Sequence, residues 1–298
     1  MLNNTNTVKI NYQQHPFHLV KPSPWPILTA FSVCMCLLYT VLWLHEYDMQ
    51  TCKFLKFLAY GFSFFLFSFS SWLWDIVIEA TFEGRHTFAV QRGLRLGFIL
   101  FIVSEFMFFF GFFWAFFHSS VSPSIWINAM WPPFGSKYIN PNGLPLVNTC
   151  LLLISGITVT YAHKAVVLKG PNLSIGIENP RLEVIKALAL TISLGLIFTL
   201  VQLYEYQGAS FSINSGIYGS IFYLLTGFHG FHVLVGTIFL IICLLRHIAY
   251  HFTTDHHLGL EMAIWYWHFV DVVWIFLYIF LYIWGGPEDY DMYFTLMC

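Results

Sequence analysis

The chain has little charge: Asp, Glu, Lys and Arg make up 9% of its 298 residues, whereas 58% are hydrophobic. A water-soluble domain carries about 25% charged residues. Even a folded protein of this length leaves about a quarter of its unfolded surface exposed, and here that surface would consist mostly of Phe, Leu and Ile. These proportions exclude an ordinary water-soluble domain and favour a protein that is surrounded by lipid.

An excess of positive charge is also lacking, since the net charge is −2, and no basic surface predicts a nucleic-acid partner. The six cysteines include no Cys-x-x-Cys pair, so we predict neither a zinc site nor a disulfide framework. The first 24 residues lack the features of a signal or transit peptide, and we expect insertion without a cleaved presequence. No internal repeat is evident, which weakens the hypothesis of a transporter built from duplicated halves.

Seven apolar runs dominate the chain, and each is close to the length of about 20 residues that a membrane-spanning helix needs. These runs are too long for barrel strands and do not alternate as such strands do, so the predicted class is all-α. The sixth run has 31 residues; it would extend roughly 46 Å as a helix and should tilt or project beyond the bilayer. The runs are Ile27–Leu44, Phe57–Trp74, Leu96–Phe117, Leu144–Ala162, Ala187–Tyr204, Ser215–Leu245 and Met262–Gly286.

The positive charges fall mostly on one side of this arrangement. With seven spans, ten Lys and Arg residues share a side with the amino terminus, and only Lys53, Lys56 and Lys137 lie on the other. Because inner-side loops carry the excess of Lys and Arg, we predict an amino terminus inside and a carboxyl terminus outside. The resulting segments are an inner-side amino-terminal segment (1–24), helices one and two (25–80), helices three to seven (81–286) and an outer-side acidic tail (287–298).

Glu105 lies near the middle of the third run, in a stretch rich in phenylalanine. An acidic side chain at that depth costs about 2.5–3.5 kcal/mol on insertion scales. Because burial disfavours the charged form, we expect this carboxyl to be protonated at neutral pH. Two interpretations are open: a structural carboxyl bonded to a neighbouring helix, or a functional carboxyl in a proton or gas pathway.

Two pairs of polar residues at a spacing of three lie in the last two runs: His229 with His232, and His268 with Asp271. That spacing puts each pair on one face of its helix. A haem or metal site is one interpretation. We favour an intramembrane hydrogen-bonded network that joins helices six and seven, in which Asp271 accepts from a histidine.

Other titratable residues offer no clear metal site. His256 and His257 lie in the sixth loop beside Glu261, where we expect them to be solvated. The eight methionines are dispersed, and no thiolate–His–Met set of a copper site occurs. A haem held by His232 and His247 is an alternative hypothesis, but a cytochrome b-like arrangement would need two such pairs on two helices. We therefore predict no metal site in this chain.

Three acidic residues, Asp75, Glu79 and Glu83, close the second run on the predicted inner side, near Arg85 and His86. An ion-paired cluster at the membrane interface is the simpler interpretation. A surface that collects protons is the more specific one.

Short sequence strings occur in a fixed order from Pro22 to about Gly286: Pro22–Pro26, Gly84–Thr87, Val90–Arg95, Ile99–Glu105, Gly111–Ser120, Trp131–Pro133, Gly227–Val233, His256–Glu261 and Trp265–Trp274. Together they resemble the cytochrome c oxidase subunit III family. One such string would be a weak signal. Their order across seven spans makes the resemblance specific, and it covers nearly the whole membrane region.

The resemblance implies a subunit without a catalytic centre, within the respiratory enzyme that reduces O₂ to water and pumps protons. In the family, this subunit packs against the catalytic subunit I, which holds the haems and copper, alongside subunit II and accessory subunits. Its first two helices stand apart from the other five and leave a cleft that holds phospholipids. The family's buried glutamate matches Glu105, and Trp72, His86 and Arg246 are our candidates for contacts with lipid headgroups.

The family roles are to stabilise the catalytic core, support proton uptake and guide O₂ from the membrane. We therefore expect no cofactor in this chain, bound phospholipids, and a multi-pass position in the mitochondrial inner membrane. The amino terminus would face the matrix and the carboxyl terminus the intermembrane space. Three alternatives are open. The membrane could be a bacterial plasma membrane, and the chain could be subunit III of a related quinol oxidase. It could also be a free-standing proton-coupled transporter built around Glu105.

Overall fold

The computed structural model describes residues 15–45, 53–133, 139–168, 170–171 and 179–286. Throughout these ranges the regular structure is helical and contains no strand. All seven long helices are long and apolar enough to cross a membrane, which confirms the predicted all-α class with seven spans. The helices are α1 (Trp25–Leu44), α2 (Lys53–Thr81), α3 (Phe88–Val121), α4 (Leu144–Val167), α5 (Pro180–Gly208), α6 (Ile217–Ile248) and α7 (Leu258–Phe276).

Most helices extend beyond the apolar runs that predicted them. α2 continues past Trp74 to Thr81, and α3 begins at Phe88 rather than Leu96. An apolar run marks the part of a helix that lies in hydrocarbon, whereas the helix itself continues into the interfacial region. α7 is prolonged by a π-helical segment, Leu277–Trp284, whose last bond runs from the N–H of Gly285 to the carbonyl of Phe280 at 2.8 Å.

Some sequence predictions lie outside the described residues. These are the acidic tail at 287–298, residues 1–14 of the amino-terminal segment, and the positive charges Lys9, Lys137 and Lys169. The chain divides by its internal contacts into two units, Met1–Leu94 and Arg95–Cys298. The division falls within α3, close to its first turns.

In the first unit, α1 packs against α2. Tyr39 stacks on Phe57 with ring centroids 5.4 Å apart, and Trp25 meets Phe67 edge-on at 6.0 Å. The indole of Trp25 also donates to Asp75 Oδ2 over 2.7 Å. Aromatic pairs along the length of the two helices and a hydrogen bond at one end therefore set how they pair.

The second unit is a bundle in which α4 contacts α5 and α7, and α6 contacts α5 and α7. Its centre is Trp267 of α7, whose side chain is fully buried. Glycines on two neighbouring helices, Gly195 in α5 and Gly236 in α6, face the indole, and Ser155 of α4 accepts its N–H over 2.9 Å. Small residues let helices approach closely in lipid, and here they make room for one large ring.

Gly219, in the first turn of α6, faces the segment that connects α5 to α6. A Cβ at this position would lie 2.3 Å from the backbone oxygen of Ser212 and 3.4 Å from Cβ of Ser215. A backbone oxygen cannot rotate away, so we expect Gly219→Ala to destabilise the protein by about 1–3 kcal/mol. The measurement is the thermal unfolding midpoint in detergent, with Gly227→Ala, where a Cβ meets nothing within 4 Å, as the control. Equal midpoints for the two variants would contradict this expectation.

Candidate functional site

Glu105 of α3 and His232 of α6 are in direct contact. Oε2 of the carboxyl lies 2.8 Å from Nε2 of the imidazole, and Nδ1 lies 2.6 Å from the carbonyl oxygen of Phe228, one turn earlier in α6. Because a carbonyl only accepts, Nδ1 carries a hydrogen, and Nε2 of the neutral ring is an acceptor. The carboxyl and the imidazole therefore hold one proton between them, and its transfer to Nε2 turns a neutral pair into an ion pair.

Aromatic rings surround this pair. The centroid of Phe109 lies 5.0 Å from that of His232, and Tyr266 is nearly parallel to the imidazole at 6.3 Å. The side chain of His232 is 8% exposed and that of Glu105 is 24% exposed. In surroundings of such low polarity an unpaired charge is costly, so an ion pair formed here would rely on the direct contact between the two groups.

His229 links α6 to the main chain of α7. Its Nε2 lies 3.2 Å from the carbonyl oxygen of Val270, and the ring packs between Phe198 and Trp274, with centroids 5.6 and 5.0 Å away. His229 and His232 therefore face different neighbours, although they are only three residues apart. The first binds α7 and the second binds α3.

His268 and Asp271 join α7 to α4. His268 Nε2 lies 3.1 Å from the hydroxyl of Thr160, and its Nδ1 lies 3.8 Å from Asp271 Oδ2. The Asp271 carboxyl is buried against Gly156 of α4, which leaves room for it because it has no side chain. The predicted network between helices six and seven included no partner on α4, where Gly156 admits the Asp271 carboxyl; acceptance by Asp271 from a histidine stays a prediction.

A buried polar chain on α4, α5 and the π-helical segment was not predicted from the sequence. Asn148 donates to Gln202 over 3.1 Å, and both Gln202 and Tyr282 donate to Glu205 Oε1, over 3.3 and 2.7 Å. A surface cavity of about 240 Å³ borders Glu205. Glu205 directly follows an apolar run instead of interrupting it, and uncharged Asn148 and Gln202 gave no strong signal.

Each of the three acidic residues that were predicted on the inner side has its own partner in the first unit. Asp75 accepts from Trp25, and the carboxylate of Glu79 lies 4.0 Å from Nδ1 of His18. Glu83 lies beyond Thr81, the last residue of α2, and is therefore not on the helix face that carries Asp75 and Glu79. The three carboxylates therefore form a row of separate contacts rather than one shared site.

Glu83 pairs with two cations. Its Oε2 lies 2.9 Å from Nε of Arg85, and its Oε1 lies 3.5 Å from Nζ of Lys21. The hydrogen bond from Arg85, followed by the charge of Lys21, lowers the pKa of this exposed carboxyl below its ordinary value. Any stability that the pair contributes is present at neutral pH and is lost as the pH falls through that lowered pKa.

The candidates for lipid headgroups fall in both units. Trp72 lies on the exposed surface of α2, and His86 follows α2 with a ligand atom within 4.8 Å of those of His18 and Glu79. Arg246 lies in the last turn of α6, in the second unit, with its guanidinium 4.6 Å from the centroid of Phe252. Two of the candidates therefore belong to the first unit and one belongs to the second.

Comparison with known proteins identifies one family. The family model described as cytochrome c oxidase subunit III matches residues 15–286. A relative named cytochrome c oxidase subunit 3 from Chondrus crispus is 49% identical over 274 residues, which cover 92% of this chain and 96% of the relative. Relatives of the same name from Canis lupus and Struthio camelus are 47% and 50% identical, over 93% and 92% of this chain and 100% and 99% of their own lengths.

These matches confirm the resemblance inferred from the ordered sequence strings. They run through α1 to α7 and include both members of the Glu105–His232 pair. Family membership rests on nearly the full length of the chain rather than on one motif. The chain belongs to the cytochrome c oxidase subunit III family and is a multi-pass inner-membrane subunit of that oxidase complex.

Proposed function

We propose that this chain is a non-redox core subunit, which stabilises the catalytic subunit and supports proton uptake through Glu105 and His232. The observation that carries the proposal is the use of both His232 nitrogens, one by Glu105 and the other by the Phe228 carbonyl. Such a ring can hold or pass a proton. It cannot bind a haem iron without giving up one of these two contacts.

The same observation argues against the haem hypothesis, which paired His232 with His247. A histidine ligand needs one nitrogen for the iron, and its other nitrogen usually donates to a nearby acceptor. In His232 the second position is already filled by the Glu105 carboxyl. The haems and copper of the oxidase would accordingly lie in partner subunits, and this chain would carry no catalytic centre.

The outward surface of α3 supports contact with another subunit or with lipid. Phe106, Met107, Phe110 and Trp114 are each about half exposed or more, at 46, 56, 54 and 62%. They follow one another along the part of α3 that also carries Glu105. We assign this surface to the interface with subunit I. Subunit II and the accessory subunits would contact the complex at other surfaces. Guiding of O₂ along this aromatic surface is a further part of the proposal.

Bound phospholipid is the second part of the proposed role. A groove of about 360 Å³ between α1 and α2 is lined by Trp25, Phe67, Ser70, Ser71, Trp74 and Asp75. Aromatic rings suit a lipid acyl chain, and the serine hydroxyls can donate to the oxygens of the lipid's polar end. Arg246, at the end of α6, offers a charge partner for a lipid phosphate.

The proposed location is the mitochondrial inner membrane, with the amino terminus in the matrix and the carboxyl terminus in the intermembrane space. The positive-charge bias supports this orientation. Lys164 and Arg246 are consistent with this orientation. They lie in the last turns of α4 and α6, and because successive spans alternate in direction, these two helices run the same way across the membrane. The relatives' names favour cytochrome c, rather than quinol, as the electron donor.

Purification of the complex tests the subunit's role. We expect the chain to co-purify with a haem–copper core in a one-to-one ratio, and the chain separated from that core to show no Soret absorption band. Proton transport by the separated chain in vesicles should be absent. Stoichiometric haem in the isolated chain would overturn the non-redox assignment, and transport by the chain alone would favour the transporter hypothesis.

A further inference from the structure

A surface cavity of about 240 Å³ lies where α5 ends and α4 begins. The described residues that line it include Leu144 at the start of α4, Glu205 and Gly208 in the last turn of α5, and Ser210 just beyond that helix. One water molecule takes up about 30 Å³ in the liquid, so the cavity has room for a small ion together with several waters. It lies in the second unit and shares no lining residue with the Glu105–His232 pair.

Glu205 is the only charged residue among the described residues that line this cavity, and it is 3% exposed. Both of its donors, Gln202 and Tyr282, reach the same oxygen, Oε1. Oε2 is buried and has no hydrogen-bond partner within residues 15–45, 53–133, 139–168, 170–171 and 179–286. No Lys, Arg or His of those ranges forms an ion pair with Glu205. A carboxylate accepts at both oxygens, and burying one without a partner for its charge is costly.

The carboxyl end of α5 adds further oxygen atoms beside this carboxylate. The last four carbonyl groups of a helix have no partner inside it. No backbone N–H of the described chain beyond α5 donates to the carbonyls of Glu205–Gly208. The following residue, Ala209, is extended (φ −68°, ψ 132°), so the helix ends without the bonds of a left-handed cap. The carboxyl end of a helix carries partial negative charge and favours a cation.

We propose that this cavity binds a monovalent alkali-metal cation, Na⁺ or K⁺. The ligands are the Glu205 carboxylate through Oε2, the hydroxyl of Ser210 and a carbonyl of the last turn of α5, and water completes the shell. Carboxylate, carbonyl and water oxygens are the ligands of hard cations. A single carboxylate supplies one negative charge, which a monovalent ion balances, whereas calcium sites gather several charged ligands.

The bound cation would stabilise the junction of α4, α5 and the π-helical segment. Asn148 donates to Gln202, and Gln202 and Tyr282 donate to Glu205, so every bond of this chain is directed towards the carboxylate. An ion at Oε2 keeps Glu205 ionised and therefore keeps these donors oriented. Tyr282 belongs to a π-helical segment, a form that is rare and frequent at functional sites.

The sequence prediction of no metal site rested on patterns of histidine, cysteine and methionine. A site built from one carboxylate, one hydroxyl and backbone carbonyls has no such pattern, because any residue can supply a carbonyl. The alkali cation would be a structural ion that neither takes up nor releases a proton. Its site is therefore separate in chemistry, as well as in position, from the proton shared by Glu105 and His232.

Sodium binding by the purified oxidase complex tests the proposal. After removal of alkali cations, radioactive Na⁺ is titrated by equilibrium dialysis into the wild type, Glu205→Gln, Gly208→Leu and Gly170→Leu. Leucine at Gly208 fills the cavity without altering the carboxyl, because a Cβ there meets nothing within 4 Å. Gly170 is equally open and lies beyond the opposite end of α4, so Gly170→Leu is the matched control.

We expect Glu205→Gln and Gly208→Leu each to bind one equivalent of Na⁺ fewer than the wild type and Gly170→Leu. Retention of that equivalent by either of the first two variants, or its loss from Gly170→Leu as well, would overturn the site. K⁺ and Ca²⁺, each added alone, serve as competitors. Displacement by Ca²⁺ at a lower concentration than by K⁺ or unlabelled Na⁺ would contradict a site for a monovalent ion.

A second measurement keeps the test decisive if a variant does not assemble. Crystals of the wild-type complex in which Tl⁺, a heavy monovalent cation, replaces Na⁺ and K⁺ should give an anomalous scattering peak in contact with Glu205. An excess of Na⁺ or K⁺ should abolish the peak, and no peak at saturating Tl⁺ would refute the proposal. Neither readout depends on turnover or proton uptake, so the result is independent of the role assigned to Glu105.

Discussion

Replacement of Trp267 by alanine is expected to produce the largest loss of stability of any single substitution considered for this chain. The indole is fully buried, with glycines on two helices facing it and its N–H donated to Ser155. Removal of a buried tryptophan typically costs about 3–5 kcal/mol, because the surroundings only partly fill the cavity. In lipid the loss is one of packing contacts, which are the main force between helices there.

The geometry leaves the bundle little room to adjust. A Cβ at Gly195 would lie 2.6 Å from the Trp267 ring, and one at Gly236 would lie 3.0 Å from it. Because α5 and α6 already approach the indole this closely, neither helix can fill the cavity without shifting along much of its length. Ser155 would also lose the donor that its hydroxyl now accepts.

The measurement is the thermal unfolding midpoint of the purified complex, together with the amount of this subunit that it retains. We expect Trp267→Ala to lower the midpoint by on the order of 10 °C. Trp126→Ala is the control, since that side chain is 90% exposed in the connection between α3 and α4. A Trp267→Ala complex with wild-type stability and full subunit content would show that Trp267 does not organise the bundle.

The spans could be predicted from sequence because lipid imposes one strong rule. Backbone groups in hydrocarbon must pair within the segment, so a long apolar run has to be a helix. The helix ends were harder to predict. α3 begins earlier than its apolar run, and Thr87 marks that start by accepting from the N–H of Val90 over 3.5 Å. A threonine before a helix is a recognised capping signal, but it carries less weight than hydropathy.

The members of the candidate site were easier to predict than their partners. Glu105 stood out because a carboxyl inside an apolar run is rare. Its pairing with His232 could not be foreseen, because the pairing depends on which faces of α3 and α6 meet. For the same reason the approach of Asp271 to α4, which Gly156 admits, could not be foreseen. Sequence spacing fixes the face of one helix and leaves its neighbour undetermined.

Substitution of Glu105 by glutamine should separate the two interpretations of this carboxyl. The amide has nearly the same shape and can donate an N–H to Nε2 of His232, so we expect the complex to assemble normally. It cannot release a proton, however, and the one-proton exchange across the 2.8 Å contact would be lost. We expect slower proton uptake in vesicles containing the oxidase, and complete loss of labelling at this position by a membrane-soluble carboxyl reagent.

Glu205→Gln is the matched control for this experiment. Glu205 is also a buried carboxyl, but its donors are Gln202 and Tyr282, and no histidine among the residues that the structure describes donates to it. If burial of a carboxyl alone governed proton uptake, both variants would be impaired to a similar degree. If Glu105→Gln retained wild-type turnover, pumping and reagent sensitivity, Glu105 would be a packing residue. Impairment of Glu105→Gln alone would attribute the effect to the proton shared with His232, because that is the feature that distinguishes the two carboxyls.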